Sequence, residues 1–455
     1  MGPTKRLLSI TEGKYAFGPP RNRRLILAGP RAGLRLPETI QDSVHIFLGY
    51  DTVMNKHIPK NFRVPGFLAA GISAGIKKKK GEKDVALLHS EGPARAAGVF
   101  TTNRVKAAPV LVSMERIRTG SARSILVNSG CANACTGNRG IAHARRLSKG
   151  IASSLSLSSE KILLASTGVI GQPLPLPRIE KKLPALIASL SPQGLAEAAE
   201  AIMTTDTFPK AAILKEQVNG KKVTLAGIAK GAGMIAPHMA TLLSFVLTDA
   251  LVSRRALRIA LQEATNASFN RITVDGDMST NDTLLILANG RAANREISPA
   301  TPGHRKFTSL LQELLTDLAK MIVRDGEGAT KLVRVQVEGA RTTSEAEKVA
   351  RSVANSPLVK TAFFGEDANW GRILCAAGYS GAPIAPGKVN IFFDNVQIVH
   401  QGLGTGPRSE REATAVMKKK EFTVRIRLNR GSHRASLYTC DFSYDYVRIN
   451  AAYRS

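Results

Sequence analysis

The chain has 455 residues, 43% of them apolar and 22% charged, the composition of an ordinary soluble globular protein with room for a large core and more than one structural unit. Its formal net charge is +29, but the basic residues are scattered, aromatics make up only 5%, and no nucleic-acid-binding motif accompanies them, so the charge reads as solvated surface. Four cysteines are too few for a disulfide scaffold, the C-x3-C pair Cys131 and Cys135 has no second pair to complete a metal site, and no apolar run reaches the roughly 18 residues of a membrane span.

Up to Pro37 the chain carries Lys5, Arg6, Lys14, Arg21, Arg23, Arg24, Arg31 and Arg35 against the single acid Glu12. That bias is like an organelle transit peptide, but GPP and AGPRAG interrupt any amphipathic helix. Residues 1–61 are therefore expected to be a poorly ordered basic extension of a cytoplasmic protein, or the product of a start codon placed too early, with an organelle-targeted precursor as the alternative. The stretch FRVPGFLAAGISAGIKKKKGEKDVALL then predicts short strands around a solvated turn at Lys77 to Gly81. SILVNSGCANACTG reads as a buried strand running into a polar, glycine-broken loop, and GIAHARRLSKGIASSL as a helix ending near Leu155. In KILLASTGVIGQPLP, a strand of Ile162, Leu163 and Leu164 delivers Ser166, Thr167 and Gly168 to a turn, where backbone N–H groups and a hydroxyl can converge. IMTTDTFPK, with Thr204 and Asp206 ahead of Pro209, is a run of ordinary turn formers.

Lys230 to Ala250, KGAGMIAPHMATLLSFVLTDA, is the most informative stretch. Gly231, Gly233 and Pro237 prescribe an irregular loop, after which LLSFVL predicts a buried strand. Thr241 stands at the junction. A threonine hydroxyl is a weak nucleophile without an adjacent base, and one such base is its own α-amine, which exists only if the chain is cut between Ala240 and Thr241. Beyond it, SRRALRIALQEATNASF predicts a helix capped by Ser253, and the acids Asp275, Asp277 and Asp282 fail the spacing of a calcium loop. GHRKFTSLLQELLTDLAKMIVRDG is the clearest helix, with Phe307, Leu311, Leu314, Leu318 and Met321 on one face, and KLVRVQVEG alternates as a half-buried strand. A second unit is expected from about Thr342, opening with the helical SEAEKVARSVANS. There Glu366 follows the strand-like run SPLVKTAFF and precedes the only tryptophan, Trp370, and the tail YTCDFSYDYVRINAAYRS is expected to alternate as a strand.

GMIAPHMATLLSF resembles the self-cleavage and nucleophile segment of the ornithine acetyltransferase family of arginine biosynthesis, and the resemblance extends from about Phe62 to the C-terminus through STGVIG, TTDT and GEDANWGR. It implies an α/β fold of stacked β-sheets flanked by helices, αββα-type and N-terminal-nucleophile-like, with a smaller C-terminal α/β unit. Residues 62–341 would form the catalytic domain, cut between Ala240 and Thr241, and residues 342–455 a C-terminal domain completing the substrate site. By the same resemblance, Thr241 is nucleophile and substrate contact, Thr167 and Gly168 form an oxyanion hole, and Thr204, Glu366, Asn450 and Ser455 bind substrate, while Lys230, a compact ammonium at the start of the cleavage segment, is expected to hold a substrate carboxylate. Glu366 would receive the amino group of a diamine. Cys131 stands where the family commonly has asparagine, and Ser455 where it more often has threonine.

The implied reaction is a ping-pong transfer of acetyl from N-acetylornithine to glutamate with no cofactor, in an assembly of two copies of each cleavage fragment, without nucleic acid or membrane. Acetyl-CoA as a further donor stays open. The alternatives are a self-cleaving aminopeptidase or amidase of similar fold, with water as the acceptor, and a basic nucleic-acid-binding protein.

Overall fold

The computed structural model describes residue 58, residues 61–236 and residues 242–452. The expectations placed on residues 1–57, Ala240, Thr241 and Ser455 lie outside the described residues.

The first sheet holds β1 (Phe67–Ile72), β2 (Val85–Phe100), β3 (Ser121–Asn128), β4 (Ile162–Ser166), β5 (Lys210–Val218), β6 (Lys221–Lys230), β7 (Leu243–Thr248) and β8 (Thr283–Ala288). Its order is β4-β3-β2-β8-β7-β6-β5, with β1 paired to β2. The 16-residue β2 is the hinge of this arrangement. Its first half lies between β1 and β3, its second half beside β8, and the register shifts between His89 and Ala94, where Gly92 and Pro93 interrupt the ladder. The inward residues of both halves, among them Leu88, Ile125 and Leu163 on one side and Phe245, Leu247 and Leu285 on the other, share one apolar layer. The sheet is thus folded onto itself.

Helices cover the outer faces. On one lie α1 (Ala108–Arg116), α2 (Gly137–Ser154) and α3 (Leu176–Ala188), whose Val112, Leu147, Ile151 and Leu183 pack on Leu87, Leu126 and Leu164. The short α4 (Leu195–Ala201) joins the inner layer. On the opposite face, α5 (Arg254–Ala267) and α6 (Pro302–Arg324) present Leu257, Leu261, Phe307, Leu311, Leu314 and Leu318. Those are the positions that the helical spacing singles out, and Ser253 caps α5 by accepting from Ala256 N at 3.3 Å. The result is the stacked-sheet, helix-flanked α/β architecture expected from sequence.

The second sheet comprises β9 (Leu332–Ala340), β10 (Asn390–Phe393), β11 (Val396–His400), β12 (Leu403–Gly404), β13 (Glu421–Arg427) and β14 (His433–Cys440) in the order β12-β11-β10-β13-β9-β14. Its core includes residues of α7 (Thr343–Asn355), α8 (Pro357–Phe364), α9 (Trp370–Gly378) and α10 (Pro407–Met417). Because β9 pairs with β13 and β14, this sheet starts before Thr342.

Two local readings are corrected. SPLVKTAFF is the helix α8, not a strand: Ser356 accepts from Val359 N and Pro357 occupies the first turn, where its missing N–H costs nothing. The tail leaves β14 at Cys440 and forms α11 (Tyr444–Ala451), capped by Ser443, instead of continuing as a strand. No helix among the described residues is long and apolar enough to cross a membrane.

Candidate functional site

Strand ends of the first sheet and the segments entering and leaving the second meet around a cavity of about 230 Å³, whose walls include Thr167, Gly168, Thr204, Lys230, Glu327 and Asn450. A cavity of this size encloses one amino-acid-sized molecule.

The first wall is the turn after β4. Thr167 N donates to Asn128 O at 2.9 Å, and Asn281 Nδ2 donates at 2.7 Å to both Ser166 O and Ala132 O, which fixes the turn from two sides. Ser166 Oγ donates to Asn128 Oδ1 at 2.6 Å, and Asn128 Nδ2 donates to Cys131 O at 2.8 Å, so the loop around the unusual Cys131 is held by side-chain bonds. Gly168 has φ +127°, and a Cβ there would stand 2.3 Å from Gly130 C, so no other residue fits. Its N–H has no partner among the described residues. A hydroxyl and a backbone N–H, both on the cavity wall, are the donor types that stabilise a developing oxyanion.

Lys230 ends β6 and is 3% exposed. Its Nζ donates to Thr167 Oγ1 at 3.2 Å. Burial lowers its proton affinity, the nearby Asp206 raises it, and Lys210 lowers it again. Burial would raise the Asp206 carboxyl, but Lys210, Lys230 and hydrogen bonds overcome this and hold it far below the usual carboxylate range. Opposite in charge stands Glu327, 7% exposed, whose N donates to Ala232 O at 2.8 Å and whose Oε2 accepts from Asn450 Nδ2 at 2.8 Å. Gly233 makes room for it, since a Cβ there would lie 2.3 Å from Glu327 Oε2.

The acids of the calcium-like run serve the backbone. Asp275 accepts from Met234 N at 2.5 Å and Ile235 N at 2.8 Å, fixing a loop in which Met234 takes φ +57°, and burial pushes its carboxyl up to about 6. Asp282, fully buried, accepts from Leu242 N at 3.0 Å, while its Oδ2 has no hydrogen-bond partner among the described residues; burial pushes its carboxyl well up. Among the described residues no group of His, Cys, Asp and Glu is arranged to hold a metal ion.

Of the residues expected from sequence, Thr167, Gly168, Thr204, Lys230 and Asn450 meet on this cavity. Glu366 does not. It follows α8 with φ +55°, and Lys331 Nζ donates to its carboxylate at 2.9 Å, away from the cavity wall. The acid brought to the wall is Glu327, absent from the sequence-based expectations. Its one signal is the context DGEG, where Gly326 and Gly328 flank an acid directly after the longest helix.

The sequence profile of the ArgJ family matches residues 68–455. The chain belongs to the ArgJ family. The arginine biosynthesis bifunctional protein ArgJ of Geobacter sulfurreducens is 53% identical over 392 residues, covering 86% of this chain and 100% of that relative. The ArgJ protein of Syntrophotalea carbinolica is 52% identical over 86% of this chain and 100% of its own length. Among solved structures, ornithine acetyltransferase from Mycobacterium tuberculosis, complexed with ornithine, is 41% identical over 40% of this chain and 95% of that one, with a TM-score of 0.37.

Proposed function

We propose that this ArgJ family member moves acetyl from N2-acetylornithine to glutamate, releasing ornithine and N-acetylglutamate. The observation that carries the reading is a fixed cation, Lys230, and a fixed anion, Glu327, on the walls of one amino-acid-sized cavity that also holds Thr167 and Gly168. N-Acetylornithine has the matching pattern, with a carboxylate at one end, an ammonium at the other and an acyl group between. Lys230 holds the carboxylate as a compact point charge, and Glu327, steadied by Asn450, receives the distal ammonium. That role replaces the one expected of Glu366.

In this reading the chain cuts itself between Ala240 and Thr241, and the new α-amine of Thr241 takes the proton from its own hydroxyl as Oγ attacks the acetyl carbon. The tetrahedral oxyanion accepts from the Thr167 hydroxyl and Gly168 N–H; one such donor is worth roughly 2.7–4 kcal/mol in the transition state. Collapse returns the proton to the leaving nitrogen, ornithine departs, and the amine of glutamate attacks the acetyl-threonine in the same way. The first sheet is then the catalytic part and the second completes the substrate site, with both fragments assembling in pairs.

The test is a two-part measurement. Intact mass should show fragments of residues 1–240 and 241–455, and N-acetylornithine should yield N-acetylglutamate only when glutamate is present. Free acetate without glutamate would instead indicate a hydrolase, and an intact chain without a threonine N-terminus would remove the nucleophile. Replacing N-acetylornithine by acetyl-CoA in the same assay tests the second donor.

A further inference from the structure

Directly beneath the cavity lies a buried charge cluster that the acyl-transfer scheme does not use. Lys210 Nζ stands 2.6 Å from Asp206 Oδ1 and 2.5 Å from Asp325 Oδ2, with side chains 0%, 0% and 2% exposed. Each carboxylate is also tied to the backbone of site segments. Asp206 accepts from Thr204 N at 2.9 Å and Gly231 N at 2.7 Å, while Asp325 accepts from Thr207 N at 3.0 Å and lies two residues before Glu327. Lys230 is the other buried ammonium of this region, and it makes no ion pair among the described residues; its hydrogen bond there goes to a neutral oxygen of Thr167.

We infer that Lys210 is a positioning residue for substrate binding: by holding Asp206 and Asp325 it keeps the Lys230 ammonium unpaired and so open to the carboxylate of an amino-acid substrate. This rests on the assignment of Lys230 given above. The field of Asp206 already reaches Lys230, and Gly231, the next residue in the chain, is bonded to Asp206. Without Lys210, Asp206 becomes an uncompensated buried anion, and in a poorly solvated site the nearest cation is drawn to it. After Lys210, the ammonium that acts most strongly on Asp206 is that of Lys230. The substrate carboxylate would then compete with an internal carboxylate for one ammonium.

A purely structural strut is separated from this role by two double variants of equal net charge. Lys210→Met/Asp325→Asn leaves Asp206 beside Lys230; Lys210→Met/Asp206→Asn removes it and leaves Asp325. In fully processed enzyme, the first is expected to raise KM for N-acetylornithine at least about tenfold, with kcat within about threefold of the parent, and the second to keep KM within about threefold. Equal KM changes in both, no change in either, or failure of both to fold would overturn the inference and leave Lys210 as a strut. Lys230→Met, assayed alongside, separates the two layers of argument. An unchanged KM in that variant removes Lys230 from carboxylate binding altogether, whereas a raised KM combined with indistinguishable double variants removes only the role given to Lys210.

Discussion

Each sheet packs a core with its own helices, joined where Leu332 and Cys440 of the second sheet enter the cluster under α5 and α6, but the two contribute to the cavity in different ways. The first supplies it from its strand ends and the loops beside them: Thr167 and Gly168 after β4, Thr204 shortly before β5, and Lys230 as the last residue of β6. The strands of the second supply nothing to the wall. Only the segments entering and leaving its edge do so, Glu327 ahead of β9 and Asn450 on the helix after β14. Those strands are neighbours, and Asp441 closes the gap by accepting from Thr330 N and Lys331 N at 2.8 Å each. The second sheet therefore works as a clamp, setting the place of one acid and one amide rather than lending a face.

The largest expected effect breaks the first side of this comparison. Thr241→Ala should give a single uncut chain with transfer at background, read by intact mass and by N-acetylglutamate formation. Substantial activity in that variant would take the chemistry away from the segment between β6 and β7.

A second experiment asks which acid of the clamp side matters. Glu327→Gln in processed enzyme should lose roughly 2–5 kcal/mol of transition-state binding for N-acetylornithine, at least about thirtyfold in kcat/KM, because it removes the charge that meets the substrate ammonium in a desolvated site. Glu366→Gln should stay within about threefold in kcat/KM, since that carboxylate pairs with Lys331 away from the cavity wall, and the lost pair acts on the buried Lys331 ammonium rather than on substrate. The reverse ranking would restore Glu366 and discard Glu327.

How the two sides were legible follows from the same contrast. Periodicity locates the core helices α5 and α6, because a face that packs must repeat at the period of its element, while β7, buried on both faces, shows as a short apolar run. Thr167 and Gly168 follow β4, which the apolar run Ile162, Leu163 and Leu164 announces, and resemblance adds their roles, whereas Lys230 ends β6, a strand absent from the sequence-based expectations. The clamp is less legible because what matters there is tertiary. Glu327 sits in a glycine-flanked loop with no period, and its place depends on Gly233, some ninety residues earlier, having no side chain. Glu366 has the more conspicuous sequence context, yet α8 and Lys331 turn it elsewhere. The aromatic alternation of the tail suggested a strand, but Phe442 and Tyr446 instead stack at 4.6 Å across the start of α11.

A smaller effect comes from the fit between the sides. Gly233→Ala places a methyl 2.3–2.7 Å from the Glu327 carboxylate, closer than real contacts allow, so the carboxylate must swing away from Asn450. KM for N-acetylornithine should rise about threefold to tenfold, with kcat less affected. An unaltered KM would mean that Glu327 has slack the packed geometry does not suggest.

The smallest expected effect concerns Asp275, on the first side, whose charge also helps push the Tyr446 hydroxyl of α11 upward after burial has done most of it. Burial outweighs the N–H bonds from Met234, Ile235 and Asp277 and places the Asp275 carboxyl at about 6 in the folded protein, against about 3.9 when unfolded. Between those values the folded state holds a proton that the unfolded state has released, so this group lowers stability as pH rises from about 4 to about 6 and changes nothing further above that. Asp275→Asn does not titrate. The thermal midpoint of the variant relative to wild type should therefore drift upward across that interval and become level by about pH 7, superimposed on a constant offset from the lost charged acceptor. Scanning both proteins at pH 4.5, 5.5 and 7 measures the drift directly. A difference that stays constant with pH would show that Asp275 titrates at its ordinary value, and that its carboxyl beside Met234 and Ile235 is more open to water than its hydrogen bonds indicate.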